Sequence, residues 1–184
     1  DVPDPTGGVR FVIPERANYL KGQLGPLPVI SGIPHLDALV AGADDPLLPH
    51  LRAHLDLAEE VDIAVAFTMV SGLQLIREYL RDLLQRGGRL RFLTGDYLDV
   101  TQPAALRQLL DLGAVDRGHL DLRIFQATDP QNPGHSFHPK AYIFRHADGS
   151  GTALVGSSNL SATALGHGVE WNYRVITSRD QSGF

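Results

Sequence analysis

Residues 61–94 read VDIAVAFTMVSGLQLIREYLRDLLQRGGRLRFLT, and this stretch decides the fold. Val61 to Phe67 is a nearly continuous β-prone apolar run, as expected of a strand covered on both faces. From Ser71 to Arg86, the residues Leu73, Ile76, Leu80, Leu83 and Leu84 recur at helical spacing, and Gly87-Gly88 ends the helix. Arg89 to Thr94 then alternates polar and apolar, the pattern of a half-buried strand. Strand, helix and strand in so short a span imply a right-handed parallel crossover.

Working outward, Pro103 to Leu112 is a second helix, with proline near its first turn and Gly113 at its end. Leu120 to Phe125 is a further strand, and the alternation from 61 to 126 gives an α/β architecture. Upstream, Leu47, Leu48, Leu51, Leu55 and Ala58 place a helix within Pro46 to Glu60. Downstream the pattern changes to a β-hairpin, Lys140 to Arg145 and Thr152 to Gly156, joined around Asp148-Gly149. A short helix, Leu160 to Leu165, and a last strand, Trp171 to Thr177, complete a mixed β-sheet expected to be flanked by helices on both faces. Residues 1–34 are rich in proline and glycine, with Val9 to Ile13 as a candidate edge strand. The expectation is one domain over 1–184, made of a loop-rich segment, 1–45, and an α/β core, 46–184.

A net charge of −5 argues against a protein that coats nucleic acid with a broad basic surface, while leaving room for a locally positive cleft. The absence of cysteine removes disulfides, thiolate metal sites and a cysteine nucleophile. No apolar run approaches the roughly 18–20 residues that span a membrane, and DVPDPTGGVR lacks the pattern of a secretory signal. A cytoplasmic location without membrane attachment is expected. The chain starts without methionine and stops at SRDQSGF, and it is read as a module excised from a longer protein.

The chemistry concentrates between His138 and Glu170. Of sixteen basic residues only Lys21 and Lys140 are lysines, and Lys140 stands two positions from His138 on an apparent strand. With a four-residue hairpin loop, Lys140 falls opposite Ser157 and His138 opposite Asn159, so that all four share one face. That convergence depends on register. Ser157, Ser158 or Asn159 near the N-cap of the short helix would aim free N–H groups at the same patch. Imidazole, ammonium, amide and hydroxyl form a phosphate site rather than a metal cage, and Glu170 can accept the Nδ1–H of His138, leaving Nε2 as nucleophile. His135 and His138 lack a third metal ligand at convincing spacing, so neither a metal nor another cofactor is expected.

His138-Pro139-Lys140, Gly156-Ser157-Ser158-Asn159 and Glu170 together resemble one half of the phospholipase D superfamily signature. The wording GSSNLS…GVEWN is most similar to the nuclease branch, as in modules attached to helicases and in metal-independent restriction endonucleases. The resemblance implies a phospholipase D-like fold and hydrolysis of phosphodiester bonds through a covalent phosphohistidine on His138. Lys140, Asn159 and Ser157 would hold the non-bridging oxygens, and Glu170 would orient the imidazole. Ser158, near the N-cap, and His167, in a loop close to the site, are candidate substrate contacts by position. The implied substrate is nucleic acid, DNA before RNA. A helicase domain in the same full-length chain is a further implied partner. A phospholipid substrate and a nucleic-acid-binding or dimerisation module are the alternatives. Where the family pattern has an aspartate five residues after the lysine, this chain has Arg145. Only one HxK occurs, so the second histidine is expected from another copy in a homodimer.

Other polar residues read more plainly. His50 and His54 fit a solvated helix surface, His119 a structural position, and Asp96 a loop or cap. Tyr97 and Phe137 could stack on a base, although an isolated aromatic is more often packing. Arg89, Arg91 and Arg123 either line a groove or are solvated strand-end charges.

Overall fold

A computed structural model describes residues 38–42, 44–96, 99–113, 118–126 and 136–177. The candidate strand Val9 to Ile13, Tyr97 and His135 lie outside the described residues. The elements are β1 (Ala38–Ala41), α1 (Leu47–Leu57), β2 (Ala58–Val65), α2 (Val70–Gln85), β3 (Arg89–Gly95), α3 (Pro103–Gly113), β4 (Leu120–Phe125), β5 (Lys140–His146), β6 (Gly151–Gly156), α4 (Ala162–Gly166) and β7 (Trp171–Thr177). They build one seven-stranded sheet in the order β1-β7-β6-β5-β2-β3-β4. The β2–β3 and β3–β4 pairs are parallel and the remaining pairs antiparallel. The mixed α/β sheet expected from the sequence is therefore present.

Two boundaries moved for local reasons. The strand expected from Val61 begins at Ala58, because the Arg86 guanidinium donates to the carbonyls of Leu55 and Ala58 at 2.6 and 2.8 Å. Those bonds satisfy carbonyls at the helix end, which must otherwise find partners, and let the chain turn directly into β2. Ala38–Ala41, inside the segment expected to be loop-rich, pairs with the last strand as an edge.

The strands alternate rather than burying both faces. Val61, Ile63 and Val65 of β2, Leu90 and Phe92 of β3, Tyr142 and Phe144 of β5, and Leu154 of β6 all point into one core. They meet Leu51 and Leu55 of α1, Leu73, Ile76 and Leu80 of α2, and Leu109 of α3. Each such side chain contributes about 1.5–3 kcal/mol on burial. Helix α1 packs on α2 and α4, and α2 also packs on α3 and α4. Among the described residues the helices thus gather on a single face, which corrects the expectation of helices on both faces. Sequential parallel strands added in one direction, joined by crossovers of one hand, leave their helices on the same side.

The opposite face carries charge. Arg91 makes two bonds of 2.5 Å to the Asp62 carboxylate, Arg145 reaches Asp62 at 3.1 Å and Glu60 at 3.5 Å, and Arg123 pairs with Asp121 at 2.9 Å. Arg91, Arg123 and Arg145 are thus neutralised in place.

His50 and His54 also depart from the solvated surface expected of them. His50 Nε2 is 2.7 Å from Asp45 Oδ1, and the His54 ring stacks on Phe144 at 5.3 Å with His146 at 5.8 Å. Burial first, then His146, Arg174 and His50, lowers the His54 pKa to about 4. A histidine depressed in the folded state takes up its proton more readily when unfolded, so its contribution is intact above about pH 6.5 and is lost as pH falls towards 4. After allowance for the solvent-exposed part of the ring, the expected loss is about 1–2 kcal/mol. Urea titrations across that window should show the slope, and His54→Phe should flatten it. An unchanged slope in the variant would assign the pH dependence elsewhere.

Candidate active site

The residues singled out by their chemistry collect at one end of the sheet. There the parallel strands β2 and β3 finish, β5 begins at Lys140, β6 ends at Gly156 and β7 begins at Trp171. The carboxyl ends of parallel strands are where open α/β sheets place ligands.

The hairpin register differs from the expected one. Tyr142 pairs with Leu154 and Phe144 with Thr152, one residue short of the four-residue loop. His146 N donates to Ser150 O, and Gly149 N donates to His146 O, both at 3.0 Å. Gly149 adopts φ 81°. This is the three-residue turn with a left-handed closing glycine, tightened by Ser150 N donating to Asp148 Oδ1 at 2.8 Å. The ladder, continued, would set Lys140 beside Gly156 rather than Ser157.

Convergence is recovered by another route. Asn159 Oδ1 accepts from Phe67 N at 3.2 Å, just past the end of β2, where Val65 pairs with Lys140. Met69 N donates to Leu160 O at 2.9 Å, and Thr68 bridges Leu160. These bonds pin the GSSN turn to the end of β2, beside the start of β5. They also explain why Phe67, expected in the strand, leaves it. With Oδ1 committed to a backbone N–H, the Asn159 amide turns its Nδ2 donor the other way.

His138 is exposed. Lys140 Nζ lies 2.9 Å from His138 Nδ1 and 2.9 Å from its carbonyl oxygen. Next to the histidine, Phe137 stacks on Phe125 at 5.2 Å, so it anchors this segment to the end of β4, as packing rather than as a free stacking face. The Lys140 side chain lies against the core, and burial pushes its pKa down while Glu170 pulls it up. Glu170 Oε2 accepts from the Ser157 hydroxyl, and Trp171 N donates to Ser157 Oγ at 3.0 Å. In place of the bond expected between Glu170 and His138 Nδ1, Lys140 Nζ faces that nitrogen and Glu170 takes the Ser157 hydroxyl.

Ser158, expected to touch substrate, is fully buried. Its Oγ accepts from Asn172 Nδ2 at 2.9 Å, and its carbonyl accepts from Tyr142 Oη at 3.1 Å. Burial, then Glu170, raises the Tyr142 pKa, which keeps the phenol a donor. The short helix is capped by Ser161, whose Oγ accepts from Ala164 N at 3.2 Å, and not by the GSSN residues. Ala162 N donates to Ser71 Oγ at 3.3 Å, so two of the first N–H groups of α4 are engaged within the fold. His167 is exposed after α4, and its side chain makes no hydrogen bond among the described residues.

Sequence reasoning missed the scaffold beneath the site. Buried Thr68 donates to Thr94 Oγ1 at 3.1 Å, and Thr101 Oγ1 accepts from Thr68 N at 3.2 Å. Gln102 Oε1 receives Val70 N at 2.8 Å and caps the start of α2. Isolated threonines carry no spacing signal, so only the fold reveals them. Asp96 holds a turn, accepting from Asp99 N at 3.0 Å, and His119 O receives Leu90 N at 2.8 Å. Arg145 sits five residues from Lys140, roughly 17 Å along the strand, and it bonds on the opposite face. Among the described residues no group of histidine and acidic side chains could hold a metal.

The family model described as cardiolipin synthase, PLD-like domain, matches residues 51–182, a span holding every residue of the site. No curated protein matches the sequence. Among solved structures, the chain is similar to NucT from Helicobacter pylori, with 12% identity, a TM-score of 0.54, and coverage of 77% of this chain and 85% of that one. It is similar also to phosphatidylserine synthase from Haemophilus influenzae Rd KW20, with 16% identity, a TM-score of 0.57, and coverage of 80% of this chain and 35% of that one. At these identities the likeness is one of fold, and the chain spans about a third of the synthase.

Proposed function

The chain belongs to the phospholipase D-like family, and from that premise we propose that it is a metal-independent phosphodiesterase that cleaves nucleic acid, DNA before RNA. The observation that carries this reading is the gathering of His138, Lys140, Asn159, Ser157 and Glu170 at one sheet end, with hydrogen bonds linking them in pairs to each other or to the scaffold. His138 attacks phosphorus in line and forms a phosphohistidine. Lys140, Asn159 Nδ2 and Ser157 Oγ bind the non-bridging oxygens and stabilise the transition-state charge, usually the largest catalytic contribution. A second histidine protonates the leaving oxygen and then activates water. The sequence holds one HxK, so that histidine is His138 of a second copy across a two-fold axis. A helicase domain in the full-length chain would deliver substrate, and a cytoplasmic setting fits the same role. No helix among the described residues is long and apolar enough to cross a membrane.

A phospholipid substrate is favoured by one observation. Val155, Val169, Trp171 and Tyr173 are large apolar side chains left exposed around Ser157 and Glu170. Hydrolysis of single- and double-stranded DNA, RNA and a phospholipid, all in EDTA, separates the readings. Cleavage of DNA that persists in the chelator is expected. Activity lost in EDTA and restored by magnesium overturns the mechanism, and turnover of phospholipid alone selects the second substrate.

A further inference from the structure

Two hydrogen bonds in the site tie His138 and Glu170 each to an anion-binding donor. Lys140 Nζ faces His138 Nδ1 at 2.9 Å, and the Ser157 hydroxyl is bonded to the Glu170 carboxylate. An ammonium has three donors and no acceptor, so the ring nitrogen it faces presents its lone pair. In a neutral imidazole the proton then sits on Nε2. A ring in that tautomer has no lone pair at Nε2 and cannot attack phosphorus from there. The Nδ1 lone pair meanwhile points at Lys140, whose Nζ is tethered a second time by the His138 carbonyl oxygen at 2.9 Å. The resting arrangement therefore withholds the nucleophile.

From this geometry we infer that the phosphate itself releases His138, through an exchange of hydrogen-bond partners built on the reading proposed above. Lys140 Nζ and Ser157 Oγ are the donors that a phosphodiester anion would recruit. Drawing both to the non-bridging oxygens frees His138 Nδ1 and the Glu170 carboxylate together. Water then delivers a proton to Nδ1 and removes one from Nε2, which leaves the ring neutral. Glu170 accepts the new Nδ1–H, and the Nε2 lone pair forms the N–P bond as the P–O bond to the leaving oxygen breaks. That oxygen takes its proton from the second histidine. Glu170 lies close enough to Lys140 to favour its charged form, so the freed carboxylate is already in the neighbourhood. The device makes the nucleophile conditional on an anion that can hold both donors at once. Lys140 is a positioning residue here, in addition to any contact with substrate.

The test is the ring tautomer of His138 in the full chain, read from long-range 1H–15N correlation spectra with 15N-labelled histidine. The eight histidines are assigned by loss of one set of signals in His138→Gln. In the free protein, at a pH where the ring is neutral, the Nε2–H form is expected, moving to Nδ1–H as inorganic phosphate is added. Lys140→Met should remove the preference for Nε2–H without phosphate. An Nδ1–H ring in the free protein overturns the inference, as does an Nε2–H ring that persists in saturating phosphate. An unchanged preference in Lys140→Met does so too. The tautomer is read without turnover, so its failure is distinguishable from failure of DNA hydrolysis in EDTA.

Discussion

Replacing His138 by alanine should reduce hydrolysis by roughly four orders of magnitude or more, the loss seen when a covalent nucleophile is removed from a preorganised site. The fold should not change. His138 is exposed and precedes β5, and the segment is held by the Phe137–Phe125 stack and by the strand itself. Circular dichroism and the urea midpoint of the variant should therefore match the parent within about 0.5 kcal/mol, as for surface substitutions generally. Denaturation in detergent at alkaline pH during turnover, which preserves the acid-labile N–P bond, should trap a phosphate-linked nucleotide strand on the parent protein and none on the variant. Subunit mixing probes the shared site. If both His138 side chains serve one site, a random 1:1 mixture of parent and variant keeps about a quarter of the activity, the fraction of pairs with two intact subunits. About one half would mean that each chain works alone, and the second histidine would then have to be sought within the chain.

Much of this architecture was legible because it rests on periodicity. The spacing of Leu73, Ile76, Leu80 and Leu83 marks the inner face of α2, and the alternation in Arg89–Thr94 marks a strand with one wet face. The residue types of the site were legible too, since a lysine two positions from a histidine beside GSSN has no packing rationale. Geometry was less so. Asp148-Gly149 signals a hairpin, yet whether its loop holds three residues or four depends on the hydrogen bonds that His146 makes to Gly149 and Ser150. One residue of difference moves every cross-strand partner. Asn159 still reaches the site because its side chain, and not its ladder position, bonds to Phe67. Likewise, the run VDIAVAF looks uniformly apolar, but Asp62 and Ala64 take the face where Arg91 and Arg145 supply partners. Tertiary ion pairs of this kind leave no periodic trace.

The second large effect is expected at Gly156, where the GSSN turn meets the last strand. A Cβ there would lie 2.1 Å from Trp171 O, 2.6 Å from Asn172 Cα and 2.7 Å from Asn172 Oδ1. Two of these atoms are backbone, and they are fixed by the β6–β7 ladder, which pairs Gly156 with Asn172, and by Ser157 N donating to Trp171 O at 3.0 Å. No rotamer change relieves such a contact, so Gly156→Ala must pry β7 from β6. The cost should reach about 3 kcal/mol, at the upper end for overpacking, and appear as a lowered urea midpoint. The displacement also separates Ser157 from Trp171 and Glu170, and with them the anchor of the turn that delivers Asn159. Residual folded protein should therefore hydrolyse its substrate slowly as well as unfold early. Gly166→Ala is the control: a Cβ there meets nothing within 4 Å, and its midpoint should stay within about 0.5 kcal/mol of the parent. If Gly156→Ala matched that control, the close approach of β6 and β7 could not be what sets the turn.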